Sequence, residues 1–248
     1  MTGLKTKVQI GEVWDATRIA RPPELGPGVV HLWQRRLQAP AEDISTCYEL
    51  LSQEERERAG RFRVEKAHNN FVLTRGTLRL LLGRYLGIAP REVCFAYEVH
   101  GKPVLEDGGG LCFNVSHADG LALVALVRQR AIGVDVENLD RKIEAERLAE
   151  RFFSERERQA LRPLCGEELQ IAFFRCWTRK EAYIKAKGEG LSLPLHQFDV
   201  SISAGDGDAL LATRPDPAEA SRWTVSDVPV DAGYVAAVAV AEHEAVVS

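Results

Sequence analysis

Nowhere in the 248 residues do roughly 18 apolar side chains run without interruption, so no membrane-crossing helix is expected. The stretch Met1 to Ala20 carries Lys5 and Lys7 but no apolar h-region, which makes the cytoplasm the expected address. An excess of basic charge is also missing. The formal net charge is −4, so neither nucleic acid nor an anionic membrane surface is an expected partner, and any anion site must be local. Cysteine is sparse and odd in number: Cys47, Cys94, Cys112, Cys165 and Cys176 include no CxxC pair. That argues against a disulfide framework or a zinc knuckle and predicts small core residues in a reducing compartment. No GxSxG elbow surrounds Ser116, which speaks against a serine hydrolase. Low-complexity segments are absent, and 45% hydrophobic with 27% charged residues is the composition of a folded chain.

What is present is a repeated design. Ser52-Gln53-Glu54-Glu55 and Ser154-Glu155-Arg156-Glu157 each have the form of a capping box. Each is followed by a long helical pattern, from about Glu65 to Leu86 and from about Glu167 to Lys187, with Gly87 and Gly188 as natural stops. β-rich sequence follows both: Cys112 to Val115 with Leu121 to Val127, then Trp223 to Val225 with Tyr234 to Val240. The expectation is an α+β fold of two similar halves. Arg128-Gln129-Arg130 joins consecutive strands and places a boundary that divides the chain into 1–130 and 131–248. Asp206 to Ala220, with Pro215 and Pro217, reads as a surface loop.

Ile132-Gly133-Val134-Asp135-Val136-Glu137 alternates with the period of a strand, so Asp135 and Glu137 share one face. On the second long helix, four-residue spacing stacks Trp177, Glu181 and Lys185. Phe113-Asn114-Val115-Ser116-His117 ends a strand, and Ser116 to Gly120 reads as the connection to the next. Each of these features has an ordinary structural explanation: a solvated strand face, a surface ion pair, a hydrogen-bonded turn.

Their order along the chain is more specific. Gly101-Lys102-Pro103, Asn114-Val115-Ser116-His117, Gly133-Val134-Asp135-Val136-Glu137 and Trp177-Thr178-Arg179-Lys180-Glu181-Ala182-Tyr183-Ile184-Lys185 occur in succession. Arg58 and Arg61-Phe62 lie upstream, and Gly188 to Leu193 downstream. This set resembles the Sfp-type 4′-phosphopantetheinyl transferases over about Ser52 to Leu195. One departure is Tyr97-Glu98-Val99-His100, where some relatives carry an arginine, which puts one nucleotide contact in doubt.

The resemblance implies pseudo-twofold-related α/β halves with the active site between them. It implies transfer of 4′-phosphopantetheine from coenzyme A to a serine of an apo acyl- or peptidyl-carrier protein by a monomer. Asp135, Glu137 and Glu181 are implied as magnesium ligands, with Glu181 also a possible general base and Lys185 stabilising the departing 3′,5′-ADP. Arg58, Gly101, Lys102, Asn114, Ser116, His117 and Lys185 would hold coenzyme A, with Arg58 and His117 nearest its 3′-phosphate. Trp177 is expected as packing. Arg141, Lys142, Arg147 and Arg151 are candidates for meeting an acidic carrier helix. Physically, three converging carboxylates repel by up to about 4 kcal/mol per pair at 4 Å and an effective dielectric near 20, and a divalent ion reverses that sign. A nucleotide pyrophosphohydrolase could use the same groups but would pass the phosphoryl group to water, and a silent coenzyme-binding module would pass it nowhere.

Overall fold

The computed structural model describes residues 8–18, 21–205 and 209–242. Lys5, Lys7 and residues 206–208 of the expected loop lie outside the described residues.

The first part of the chain runs β1 (Gln9–Asp15), β2 (Val29–Arg36), α1 (Ala41–Glu49), α2 (Gln53–Gly60), α3 (Glu65–Leu86), β3 (Phe95–Tyr97), β4 (Pro103–Leu105), β5 (Leu111–Ala118) and β6 (Leu121–Arg128). The second runs β7 (Ile132–Asn138), α4 (Ala145–Phe152), α5 (Glu155–Leu161), α6 (Gly166–Lys187), β8 (Phe198–Val200), β9 (Leu210–Thr213), β10 (Trp223–Asp227) and β11 (Tyr234–Ala241). The fold is α+β, and its internal repeat is topological. In the first part the sheet order is β1-β2-β6-β5, and in the second it is β10-β11-β7. β2-β6-β5 and β7-β11-β10 follow one plan, an earlier strand pairing antiparallel with the last strand of its part, which pairs antiparallel with the strand before it, while β1 adds in parallel to β2 in the first sheet alone. The small hairpins β3–β4 and β8–β9 repeat as well.

Local chemistry explains the helices. Both predicted capping boxes form, with Ser52 and Ser154 accepting from the amides of Glu55 and Glu157 and receiving the reciprocal carboxylate. Both long helices end on a glycine at positive φ, 71° at Gly87 and 73° at Gly188. The capping carboxylates then reach their long helices. Glu55 pairs with Arg75 and Arg79 at 2.5 Å each, and Glu157 with Lys180 at 2.7 Å, with Glu157 and Lys180 both fully buried.

Packing produces four layers. Leu121, Leu123, Ala125 and Val127 of β6 point into a core shared with Ile132, Val134, Val136, Val238 and Val240 of the other sheet. The alternate residues Val124 and Leu126 pack with Leu78, Leu81 and Leu82 of α3. This is why β6 reads as one apolar run: both of its faces are covered. On the outer face of the second sheet, Ala237, Ala239 and Val225 meet Phe173, Phe174, Tyr183 and Ile184 of α6. Burying each of those large side chains contributes about 1.5–3 kcal/mol.

Three local expectations are corrected. Asp206 to Ala220 is not simply a loop, because Leu210–Thr213 is a strand paired with β8 and Pro217–Arg222 is a short 3-10 turn. Ser116 and His117 are not in the connection, since β5 continues to Ala118 and the hairpin turns on Asp119-Gly120 alone. The cysteines are not uniformly core: Cys47 and Cys176 are buried, but Cys94 and Cys165 are exposed, all five being free. At the expected boundary, Gln129 takes a positive φ of 54°, while Arg130 is buried and donates to the carbonyls of Ala241 and Glu242.

Candidate active site between strand β7 and helix α6

Alternation along β7 sends Ile132, Val134 and Val136 into the core between the sheets and turns Gly133, Asp135 and Glu137 toward the opposite face. That face lies against α6, and Gly133 makes the contact possible. A Cβ built there would sit 2.1 Å from the carbonyl oxygen of Ala182 and 2.3 Å from the amide of Ala186. The helix backbone therefore lies directly on the strand, and of the side chains that flank this contact along α6, Lys185 bonds Asp135 and Glu181 lies within reach of its charge.

Lys185 Nζ donates to Asp135 Oδ1 at 2.6 Å, to Ser116 Oγ at 3.1 Å and to the carbonyl of Val134 at 3.3 Å. Ser116 Oγ donates to the same Asp135 oxygen at 2.8 Å. Lys185 thus turns to the strand and not to Glu181 on its own helix. Glu137 accepts from Arg141 through both oxygens at 3.1 Å. Glu181 makes no hydrogen bond or ion pair among the described residues, and its carboxyl is pushed up to about 7 by burial and then by Asp135 and Glu137, against the pull of Lys185. Glu137 is raised by burial and then by Asp135, with Arg141 and Lys185 opposing. Burial, then Lys185, lowers His117, with Asp135 opposing.

Among the described residues no group of three or more His, Cys, Asp or Glu is drawn together as a ready metal cluster. The expected ligand set of Asp135, Glu137 and Glu181 is thus not preassembled, because Lys185 and Arg141 engage two of its members. Its donor chemistry still fits a hard divalent cation. Asp135 Oδ2 is buried with no hydrogen-bond partner, Glu181 is unpaired, and the carboxylates raise one another's affinity for a positive charge.

Of the residues expected to hold the nucleotide, Lys102, Ser116 and Lys185 are linked by hydrogen bonds, whereas Arg58 lines a cavity that includes none of the others. Arg58 lies over the ring of Phe71 at 5.2 Å and lines a cavity of about 980 Å³ with Arg61, Phe62, Arg75 and Tyr97. This cavity does not include Asp135, Glu181, Lys185, Ser116 or His117 in its lining. Gly101, at φ 78°, makes the β3–β4 turn. Lys102 is directed inward and donates to the carbonyls of Ile132 and Lys185. Asn114 is buried, and its Oδ1 accepts from the amide of Val134 at 2.8 Å, stitching β5 to β7 across the seam between the sheets. His117, near the end of β5, keeps an exposed surface, although enough protein surrounds its imidazole to disfavour the charged form.

Comparison with known proteins bears on this arrangement. Residues 36–129 match the family described as 4′-phosphopantetheinyl transferase, N-terminal, and residues 131–239 match the 4′-phosphopantetheinyl transferase superfamily. The chain is 40% identical over 230 residues to the 4′-phosphopantetheinyl transferase HetI of a Nostoc species, covering 91% of this chain and 94% of that one. The chain belongs to the 4′-phosphopantetheinyl transferase superfamily. It is also 31% identical to the 4′-phosphopantetheinyl transferase Sfp of Bacillus subtilis, over 82% of this chain and 88% of that protein. A solved structure of the Thermotoga maritima holo-[acyl-carrier-protein] synthase is 24% identical over 46% of this chain and 64% of its own, with a TM-score of 0.36.

Within this transferase, several side chains have roles that the sequence reading did not assign. Gly133 admits the helix, Asn114 joins the sheets, and Arg141, expected on a docking surface, is the partner of Glu137. Arg147 is paired with Glu144, and Arg151 lies over the Phe152 ring, while Lys142 is exposed. Trp177 packs as expected, between Phe152, Phe153 and Phe173. The glycine beside two acidic residues was visible in the motif, but nothing local signalled how closely a helix approaches it.

Proposed function

We propose that this protein is a magnesium-dependent 4′-phosphopantetheinyl transferase that modifies a serine of an apo acyl- or peptidyl-carrier protein, with coenzyme A as donor and 3′,5′-ADP as leaving group. The observation that carries the reading is the meeting of Asp135, Glu181 and Lys185 where α6 lies on Gly133. Magnesium bound by Asp135, Glu137 and Glu181 would supply charge withdrawal at the diphosphate.

The remaining work falls to side chains. The serine oxygen forms a bond to the phosphorus that bears pantetheine, and the bond from that phosphorus to the oxygen shared with the ADP phosphate breaks. Glu181, unpaired among the described residues, is suited to take the serine proton, directly or through a water. Lys185 neutralises charge on the departing 3′,5′-ADP. Ser116 fixes Asp135 from behind. Arg58 and His117 are assigned to the 3′-phosphate, and Gly101 shapes the turn beside the nucleotide. The division at residue 130, a monomeric state and a cytoplasmic address belong to the same reading. The free cysteines suit a reducing compartment.

Intact mass measurement of apo carrier proteins incubated with the protein, coenzyme A and magnesium tests it. A gain of roughly 340 Da on the carrier serine, one phosphopantetheine, is the expected result of this phosphoryl transfer. Release of free phosphopantetheine with no gain on any carrier would replace the transferase with a pyrophosphohydrolase.

A further inference from the structure

The last carbonyls of an α-helix have no partner within the helix, and a cation placed there is favoured by both hydrogen bonding and the helix dipole. At the end of α6, the amide of Gly188 reaches the carbonyls of Ile184 at 3.1 Å and Lys185 at 3.3 Å. The carbonyl of Lys185 receives a shorter bond from outside the helix, 2.8 Å from Lys102 Nζ. The same ammonium donates at 3.2 Å to the carbonyl of Ile132, the first residue of β7. One side chain from the β3–β4 hairpin thus holds both the end of the helix that carries Glu181 and Lys185 and the start of the strand that carries Asp135.

The hairpin is built to deliver it. Gly101 donates its amide to Glu98 O at 2.8 Å, and Glu98 donates to Lys102 O at 2.9 Å, closing the turn that directs Lys102 inward. Its tip abuts the segment after α6: a Cβ on Gly188 would lie 3.0 Å from Glu98 Oε2, and one on Gly190 would lie 3.8 Å from His100 Cβ. Burial pulls the lysine's pKa down, so placing it there has an energetic cost that the two carbonyls offset.

We propose that Lys102 is a positioning residue, whose ammonium clamps the last turn of α6 to the first residue of β7 and so sets Glu181 and Lys185 against Asp135. This rests on the transferase reading. It departs from the role that the family resemblance implied for Lys102, since two of its three donors serve backbone and not nucleotide.

The test compares wild type, Lys102→Met and Lys102→Arg in the full chain. Lys102→Met is expected to lower kcat about 10- to 100-fold, the effect of misplacing reacting groups, with KM for coenzyme A changed less than about twofold. Amide exchange in the last turn of α6 should quicken roughly tenfold in this variant, as for a lost cap, while the rest of the chain is unchanged. Lys102→Arg should restore most of both. A rise in KM at constant kcat would return Lys102 to nucleotide binding, and faster exchange everywhere would reduce it to a general fold contact. Either result overturns the clamp. If Lys102→Met does not fold, Lys102→Gln, polar but uncharged and one atom shorter in reach than the ammonium, is read in the same way. Should the wild type load no carrier, the transferase reading fails, and the exchange comparison still decides the clamp.

Discussion

Lys185 Nζ lies 2.6 Å from Asp135 Oδ1, so a cation near the end of α6 is pinned to a buried carboxylate on β7. Lys185 is 30% exposed and Asp135 8% at the side chain, which leaves the lysine open on one side to an incoming anion. Replacing Lys185 with Met is expected to lower kcat for transfer about 10²- to 10³-fold, the scale for removing one electrostatic stabiliser of a developing charge. Steady-state assays with saturating coenzyme A check this. A variant within twofold of wild type would remove Lys185 from the reaction.

Glu181 sets a pH dependence. Its folded-state carboxyl titrates near 7 against an ordinary value of 4.5, so between these values the folded protein binds more protons than the unfolded chain. Stability in the absence of divalent ions should therefore fall as pH rises from about 4.5 to about 7, and Glu181→Gln should flatten that fall. Over the same interval magnesium affinity should rise, because the ion competes with the proton. Denaturant unfolding and calorimetric magnesium titrations at several pH values measure both.

Gly133 allows no side chain. Gly133→Ala would place a carbon 2.1 Å from Ala182 O, a contact that only movement of α6 can relieve. The expected cost is about 1–3 kcal/mol of stability, the range for overpacking, with transfer reduced roughly 100-fold by displacement of Glu181 and Lys185. Gly60→Ala is the control. Space around Gly60 is open, and the change should leave activity intact.

The Glu157–Lys180 pair lies at 1% and 0% side-chain exposure. Lys180 also donates to the carbonyls of Leu195 and Phe198, which ties the segment after α6 beneath the helix. Lys180→Met is expected to cost about 3–5 kcal/mol, as for breaking a buried pair. Removing the exposed Arg147–Glu144 pair should cost no more than about 1 kcal/mol. Chemical denaturation midpoints separate the two.

The parts of the fold legible in the chain were those whose cause is local. A capping serine and its carboxylate three residues on, or a glycine after a helical run, carry their own geometry, and both long helices fall within a residue of their expected bounds. The alternation through Asp135 and Glu137 was similarly readable. The hidden parts depend on partners distant in sequence. Lys102 belongs to the coenzyme A set that the resemblance implies, and its bond to the end of α6 depends on a helix far along the chain. Asn114 also belongs to that implied set, and its bond to β7 across the seam depends on a strand outside its own motif. Arg141 seemed available to a partner protein until Glu137 took it. Leu210–Thr213 was lost among turn-forming residues because its pairing with β8 supplies the order that its own sequence does not.

The two sheets share a plan, yet β2 carries His31, Trp33 and Arg35 on alternate positions, whereas β7 carries Gly133, Asp135 and Glu137. His31 and Trp33 both bond Tyr85 of α3, at 2.6 and 3.0 Å, and Arg35 pairs with Asp43 at 2.7 Å. The duplicated frame thus supports a single reaction centre per polypeptide, and donor titrations should saturate at one equivalent. A second centre would need several coordinated replacements, since His31, Trp33 and Arg35 are already committed to Tyr85 and Asp43.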